Sequence, residues 1–218
     1  MWTAAQTAEF LDAIGDHRLY AAYHLIALRG LRRGEAAGLR WCDVDLEQGV
    51  AAISQQIQQH QGHLTACPPK TASSARVIAL DRTTVSALRA HRDLQQKDRQ
   101  QAGEACRDSG YVFTRPSGDP LGPDRLSCIF RTLIAEHGLP PIRLHDLRHG
   151  AVTLALAAGV ELKVVQDMFG HSTKGTPCRA LALSATSTRC SPPSGVRWPI
   201  RVREGSPRRR PWRPRLRW

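Results

Sequence analysis

The chain has 218 residues and is 41% hydrophobic, which is enough for one ordinary domain with a buried core. It shows no signal peptide and no apolar run that could span a bilayer, so we expect a cytoplasmic protein without membrane contacts. Its six cysteines form no Cys-x-x-Cys pair, which disfavours a zinc site or a disulfide framework. We therefore expect neither a metal nor another cofactor.

The positive charge of the chain is concentrated near its end. The net charge of +12 by itself indicates a polyanionic partner. However, residues 175–218 contain 11 arginines and one acid, Glu204, so residues 1–174 hold 20 basic and 18 acidic side chains. Any affinity of residues 1–174 for nucleic acid must depend on where their arginines lie, and not on their net charge.

Apolar residues at helical spacing predict most of the elements. Helices are predicted at residues 7–14 (with Thr7 as the N-cap), 19–28, 33–41, 83–101, 124–136, 144–158 and 162–169. Strands at 49–57, 63–67 and 76–80 predict a small three-stranded antiparallel sheet. The pattern indicates an α+β fold that is mainly α-helical.

One stretch suited to binding an anion opens the predicted helix at 33–41. Arg32 stands two residues after Gly30, in a Gly-x-Arg at the helix start, where backbone amides and a guanidinium converge. Glu35 lies three residues later and can orient it. A solvated arginine with a carboxylate partner gives the same pattern, so this stretch alone does not decide between the two interpretations.

A second such stretch runs from His145 to His171. His145 and Arg148 are three residues apart and would share one helix face. The next predicted helix ends at a Gly-His pair, so His171 would directly follow the C-terminus of that helix. Taken alone, this stretch also suits a buried helical hairpin with hydrogen-bonded histidines.

Together the two stretches resemble the catalytic domain of the tyrosine recombinases, the phage integrase family. The resemblance covers residues 19–173 and depends on three boxes in the family's order, at residues 30–45, 145–149 and 170–172. It implies a catalytic domain at residues 1–174, with double-stranded DNA and other recombinase protomers as partners. The family's N-terminal core-binding domain, which clamps DNA, is expected to be absent.

The resemblance also implies roles for individual residues. In this family a tyrosine attacks the scissile phosphate without a metal and forms a 3′-phosphotyrosyl link. Arg32 and Arg148 would bind the non-bridging oxygens, His171 would donate a further hydrogen bond, and Glu35 would support Arg32.

Two proton-transfer roles complete the implied set of catalytic residues. Lys70 stands in a Lys-Thr-x-x-Ser segment ahead of a strand, and in this family that lysine protonates the leaving 5′-oxygen. His145 would assist proton transfer at the tyrosine, which suits a side chain with a pKa near neutrality.

The attacking tyrosine of the family has no counterpart in this sequence. The family places it a short distance beyond the Gly-His pair, whereas the three tyrosines here, Tyr20, Tyr23 and Tyr111, all precede His145. The sequence thus predicts a truncated recombinase that keeps phosphate-binding residues and is impaired in strand cleavage.

Residues 175–218 differ in composition from the rest. They hold seven of the 14 prolines and three of the five tryptophans, without helical or strand periodicity, which predicts a disordered tail. Such a tail can act as a basic arm on nucleic-acid backbones. A reading frame lost just after Ser172 or Thr173 in a GC-rich gene explains the same composition, and we favour that explanation.

Two alternative functions remain from the sequence. One is a non-catalytic DNA-binding remnant with the same fold. The other, ranked last, is a metal-dependent hydrolase with His145, His149 and His171 as ligands, which needs carboxylates such as Asp146 or Asp167 nearby.

Overall fold

A computed structural model describes residues 1–69 and 75–157. Its helices are α1 (Ala4–Ala13), α2 (Tyr20–Arg29), α3 (Arg33–Gly38), α4 (Arg82–Ala102), α5 (Pro123–Glu136) and α6 (Leu144–Ala157). Its strands are β1 (Val44–Asp45), β2 (Val50–Ile53), β3 (Gln56–His60), β4 (His63–Cys67) and β5 (Arg76–Ala79). Within these two ranges, no helix combines the length and the apolar character needed to cross a bilayer.

The architecture is α+β and mainly helical, as predicted, but its strands group differently. The three-stranded antiparallel sheet has the order β1–β2–β5, with Ala51 paired to both Val44 and Ile78. β3 and β4 form a separate antiparallel hairpin. The predicted strand at 49–57 is therefore two strands in two sheets, with Ser54 and Gln55 between them.

Two predicted helix ends were also wrong. Thr3, not Thr7, caps α1: the backbone N–H of Gln6 donates to Thr3 Oγ1 at 3.2 Å, and the Thr3 N–H donates to Gln6 Oε1 at 3.0 Å. This reciprocal capping box extends the helix by one turn. α3 ends at Gly38 rather than at Trp41, whose indole N–H donates to Gln95 in α4 at 2.7 Å.

The core is built around α2, whose residues from Ala21 to Ala27 are all buried. α2 packs against α4 and α6. An aromatic cluster fills the space between α1, α2 and α5, and the rings of Phe10 and Phe130 lie 5.2 Å apart. The Trp2 ring joins this cluster, and its indole N–H donates to the carbonyl of Pro140 at 2.8 Å.

Two glycines let the hairpin approach α3 at backbone contact distance. A Cβ built on Gly34 would lie 2.8 Å from the carbonyl oxygen of Ile57, and one built on Gly38 would lie 2.8 Å from the Cα of Gln56. Real Cβ atoms do not approach backbone so closely, and backbone cannot rotate away as a flexible side chain can. The hairpin is thereby held against the helix that begins just after Arg32.

Replacing Gly38 with alanine is expected to destabilise the fold by about 2 kcal/mol, because β3 must shift outward. Gly150→Ala is the matched control: Gly150 lies inside α6, and its Cβ would meet no atom of the described residues within 4 Å beyond the backbone of its own helix and its chain neighbours. That control should stabilise the protein by about 0.5–1 kcal/mol. Urea unfolding measures both variants, and a Gly38→Ala protein as stable as the parent would show that β3 is free to move.

Candidate functional site

Three segments that are far apart in the sequence meet at the start of α3. α2 ends at Gly30, which has φ of 62° and turns the chain into the buried Leu31. Arg32 then occupies the N-cap position of α3. α6 buries Leu144 and Leu147, which brings Arg148 to the same place with its side chain 2% exposed.

The Glu35 side chain lies where these three segments meet and is 2% exposed. Its Oε2 accepts the backbone N–H of Arg32 at 2.9 Å, as a glutamate in a capping box does, and its Oε1 accepts Arg32 Nη1 at 2.7 Å. Arg76, at the start of β5, donates from Nη1 to Oε1 at 3.2 Å and from Nη2 to Oε2 at 3.0 Å. Nη1 of Arg148 lies 3.8 Å from Oε2.

The ionisation of this cluster follows from its burial and its charges. Burial alone would raise the pKa of the Glu35 carboxyl, but the hydrogen bonds and charge of Arg76 and the bonds from Arg32 outweigh it and lower the pKa. Burial, and then the charge of Arg32, lower the pKa of Arg148 to about 10. Glu35 and Arg148 are therefore both charged at neutral pH, and the carboxylate is surrounded by three guanidinium groups.

Arg148 is held from a second side as well. Its Nη1 donates to the carbonyl oxygen of Gly30, at the end of α2. Because Arg148 contacts both the end of α2 and the carboxylate of α3, its orientation is set by the packing of three helices. A guanidinium positioned in this way is preorganised for an anionic ligand.

An open cleft of about 940 Å³ leads to the cluster. Arg32, Arg148 and His145 all line it, so the structure brings these three sequence-predicted residues to one site. The lining also includes further basic side chains and the glutamines of β3, beside apolar residues and one acid, Asp124: the basic and glutamine residues are Arg33, Arg131, Arg143, Gln56, Gln58 and Gln59. α3 is only six residues long, so the anion-binding character of the cleft comes from its side chains more than from a helix dipole.

His145 reaches the cleft from the first turn of α6. Its ring stands nearly perpendicular to that of His149, with 4.6 Å between the ring centroids. Burial, then the charges of His149 and Arg148, lower its pKa below the ordinary 6.5. His145 is therefore neutral at pH 7 and can accept a proton.

Asp146 does not support a metal site with these histidines. Its carboxylate accepts the backbone N–H of Arg143 and two hydrogen bonds from the Arg143 side chain, which lower its pKa to about 2. Among residues 1–69 and 75–157, no group of three or more His, Cys, Asp or Glu side chains is arranged to hold a metal ion.

Lys70, His171 and Asp167 lie outside the described residues, as do the predicted helix at 162–169 and the tail at 175–218. The residues on both sides of the segment that holds Lys70 are described. Before it, the carbonyl of Pro68 accepts a hydrogen bond from Gln56 at 3.2 Å. After it, Arg76 binds Glu35.

Arg76 is the main residue of the site that the sequence interpretation missed. The only signal is a cation at the start of an otherwise apolar strand, which usually marks a solvated strand end. Instead its side chain is 5% exposed and paired with Glu35. Nothing in the local sequence links residues that are 41 positions apart.

All three tyrosines of the sequence lie in the described part of the chain, and none lines the cleft. Tyr23 is fully buried, its hydroxyl donates to the carbonyl of Leu126 at 3.0 Å, and burial raises its pKa. Tyr111 is 9% exposed, and the Tyr20 hydroxyl lies 3.2 Å from Nδ1 of His24.

Comparison with known protein families matches residues 2–179 to the phage integrase family. The chain belongs to that family. A tyrosine recombinase XerC-like protein of Caldanaerobacter subterraneus is 30% identical over 173 residues, 74% of this chain and 44% of that protein. The ICEBs1 integrase of Bacillus subtilis is 25% identical over 80% of this chain and 48% of its own length. This integrase-family chain thus spans slightly less than half of each relative.

Solved structures show the same fold. The Tn1549 transposon integrase, in complex with transposon right end DNA, has a TM-score of 0.67 and 25% identity, over 79% of this chain and 58% of that one. The XerA recombinase has a TM-score of 0.64 and 21% identity, over 79% and 56% of the two chains. The likeness to XerA concerns the fold alone.

Glu35→Gln is expected to cost about 3–5 kcal/mol of stability at pH 7, because it removes the carboxylate from among three buried or half-buried guanidinium groups. The folded-state pKa of Glu35 lies below its ordinary 4.5, so its contribution is complete above pH 4.5 and is lost as the pH falls through the folded value. The stability gap between parent and variant should therefore narrow only in that acidic range.

Urea unfolding at a series of pH values measures this gap. Glu9→Gln, on the exposed side of α1, is the matched control and should change stability by less than about 0.5 kcal/mol. A Glu35→Gln protein that matches this control at pH 7 would mean that the carboxylate does not hold the three arginines together.

Proposed function

We propose that this chain binds double-stranded DNA with a backbone phosphate seated at the foot of the cleft, as a catalytic domain for site-specific recombination. The observation that carries the proposal is the convergence of Arg32 and Arg148, which line one cleft and share the buried carboxylate of Glu35. With Arg76, the cluster has three cations against one anion. Guanidinium forks match the geometry and charge of phosphate oxygens.

The family motif assigns the remaining roles in this proposal. Arg32 and Arg148 bind the two non-bridging oxygens and stabilise the charge that develops on the phosphorane. Lys70 protonates the leaving 5′-oxygen, and His171 adds a hydrogen bond. Neutral His145 takes up a proton at the position where a tyrosine hydroxyl would attack.

The DNA partner is supported by the names of the relatives. Their names include recombinases and integrases, and the Tn1549 integrase was solved with transposon-end DNA and with circular intermediate DNA. Recombination and integration, other recombinase protomers as partners, and a cytoplasmic location belong to the proposal for this chain, which spans only part of those proteins.

Strand cleavage by this chain alone is not part of the proposed function. None of its tyrosines lines the cleft, and the hydroxyl of Tyr23 is already used inside the core. In-line attack requires a nucleophile that is held close to the phosphorus. The chain would therefore bind DNA without cutting it, unless another protomer supplies the tyrosine; without such a protomer it is a DNA-binding remnant.

Arg32→Ala is expected to weaken binding to a short duplex by about tenfold and to reduce the salt dependence of log K by about 0.9, the value for one phosphate contact. Fluorescence anisotropy over a series of salt concentrations measures both quantities. Arg89→Ala is the matched control, since Arg89 is exposed and paired with Glu47 away from the cleft. Equal affinity and equal salt dependence in the parent and Arg32→Ala proteins would refute a phosphate contact at Arg32.

The chain should form no covalent adduct with nicked, end-labelled duplexes on a denaturing gel, even where it binds them without covalent attachment. A tyrosine-containing recombinase with its own site serves as the positive control on the same gel. A labelled adduct with the mass of this chain would overturn the proposal. The variants Tyr20→Phe, Tyr23→Phe and Tyr111→Phe would then identify the attacking residue, since the adduct would be lost in only one of them.

A further inference from the structure

Arg76 belongs to the guanidinium cluster but not to the surface of the cleft. Arg32 and Arg148 both line the cleft, whereas Arg76 is not among its lining residues. Arg32 and Arg148 thus reach both the cleft and the Glu35 carboxylate, and Arg76 reaches the carboxylate without lining the cleft. A ligand in the cleft meets Arg32 and Arg148 without touching Arg76.

The contact between Arg76 and Glu35 is a bidentate, charge-assisted pair of hydrogen bonds. Two parallel N–H donors of one guanidinium bind the two oxygens of one carboxylate, at 3.2 and 3.0 Å, with both side chains buried. Such a fork fixes the plane of the carboxylate as well as its distance. A lysine at the same place would supply charge but only a single point of contact.

The plane of the Glu35 carboxylate in turn determines where Arg32 points. The Arg32 contacts to Glu35 are local, three residues away on the same short helix, and local contacts of this kind permit several side-chain rotamers. Arg76 comes from β5, 41 residues away, and ties the carboxylate to the sheet. With Oε1 and Oε2 both held, the oxygens are presented to Arg32 and Arg148 in one orientation.

We infer that Arg76 is a positioning residue for phosphate binding: it fixes the Glu35 carboxylate so that Arg32 and Arg148 present their guanidinium groups to the cleft in a single geometry. This inference rests on the proposed function, because it concerns how the same phosphate is held. Arg76 acts through Glu35 and makes no contact with DNA.

A double-mutant cycle on DNA affinity tests the inference. The four proteins are the parent, Arg76→Gln, Arg32→Ala and the double variant, measured by anisotropy with a labelled duplex. Arg76→Gln should weaken binding by about tenfold in the parent and by less than about twofold in the Arg32→Ala protein. It should also lower the salt dependence of log K by about 0.9 only when Arg32 is present.

A merely structural role for Arg76 gives a different pattern. Loss of folded protein would reduce the affinity equally with and without Arg32, and it would leave the salt dependence of the remaining folded fraction unchanged. Either that result, or a folded Arg76→Gln protein with unchanged affinity, overturns the inference. Arg89→Gln is the matched surface control and should change neither quantity, since Arg89 pairs with Glu47 on an exposed face.

Arg76→Lys is the second variant, for the case in which Arg76→Gln does not fold. It keeps the buried charge but loses the parallel fork, so it should fold and still bind DNA several-fold more weakly than the parent. An Arg76→Lys protein with full affinity would overturn the inference. If the affinity of the parent for DNA does not depend on Arg32, the proposed function fails, and this inference fails with it. If it depends on Arg32 but not on Arg76, only the inference fails.

Discussion

A single buried carboxylate organises the functional end of this molecule. Glu35 accepts hydrogen bonds from the backbone and side chain of Arg32 and from the side chain of Arg76, and it lies within ion-pair distance of Arg148. Without a negative charge at this point, three guanidinium groups packed together would repel one another in a medium of low polarity. The carboxylate thus makes it possible to concentrate positive charge at one place on a domain whose own net charge is small.

The sequence was sufficient to predict the fold class and most helices. The apolar period located α2 and α5 closely and detected α1, although it began that helix one turn late; Phe10, Tyr23, Leu126 and Phe130 of these helices are all buried. The separation of the β3–β4 hairpin from the three-stranded sheet was missed, because β3 is rich in glutamine and only Ile57 and Leu64 mark the buried side of the hairpin. Its position depends on contact with α3, which a strand pattern does not encode.

In the candidate site, too, some residues could be predicted from the sequence and one could not. Arg32, Glu35, His145 and Arg148 were predicted because each stands in a local motif with a recognisable spacing, and the structure brings all four to one cleft or its base. Arg76 could not be found by such reasoning, since its role exists only after β5 has paired with β2 and faced α3. A side chain whose contacts are all with residues distant in the sequence has no motif in its own local sequence.

The hydrogen bond from Trp2 to Pro140 links the beginning of the domain to the segment that leads into α6. It closes a loop of 138 residues, and the indole ring is at the same time part of the aromatic core. Local opening before the first helix would therefore release the segment that leads into α6 and Arg148. Fraying at Trp2 and loosening of the segment that positions Arg148 are thereby energetically coupled.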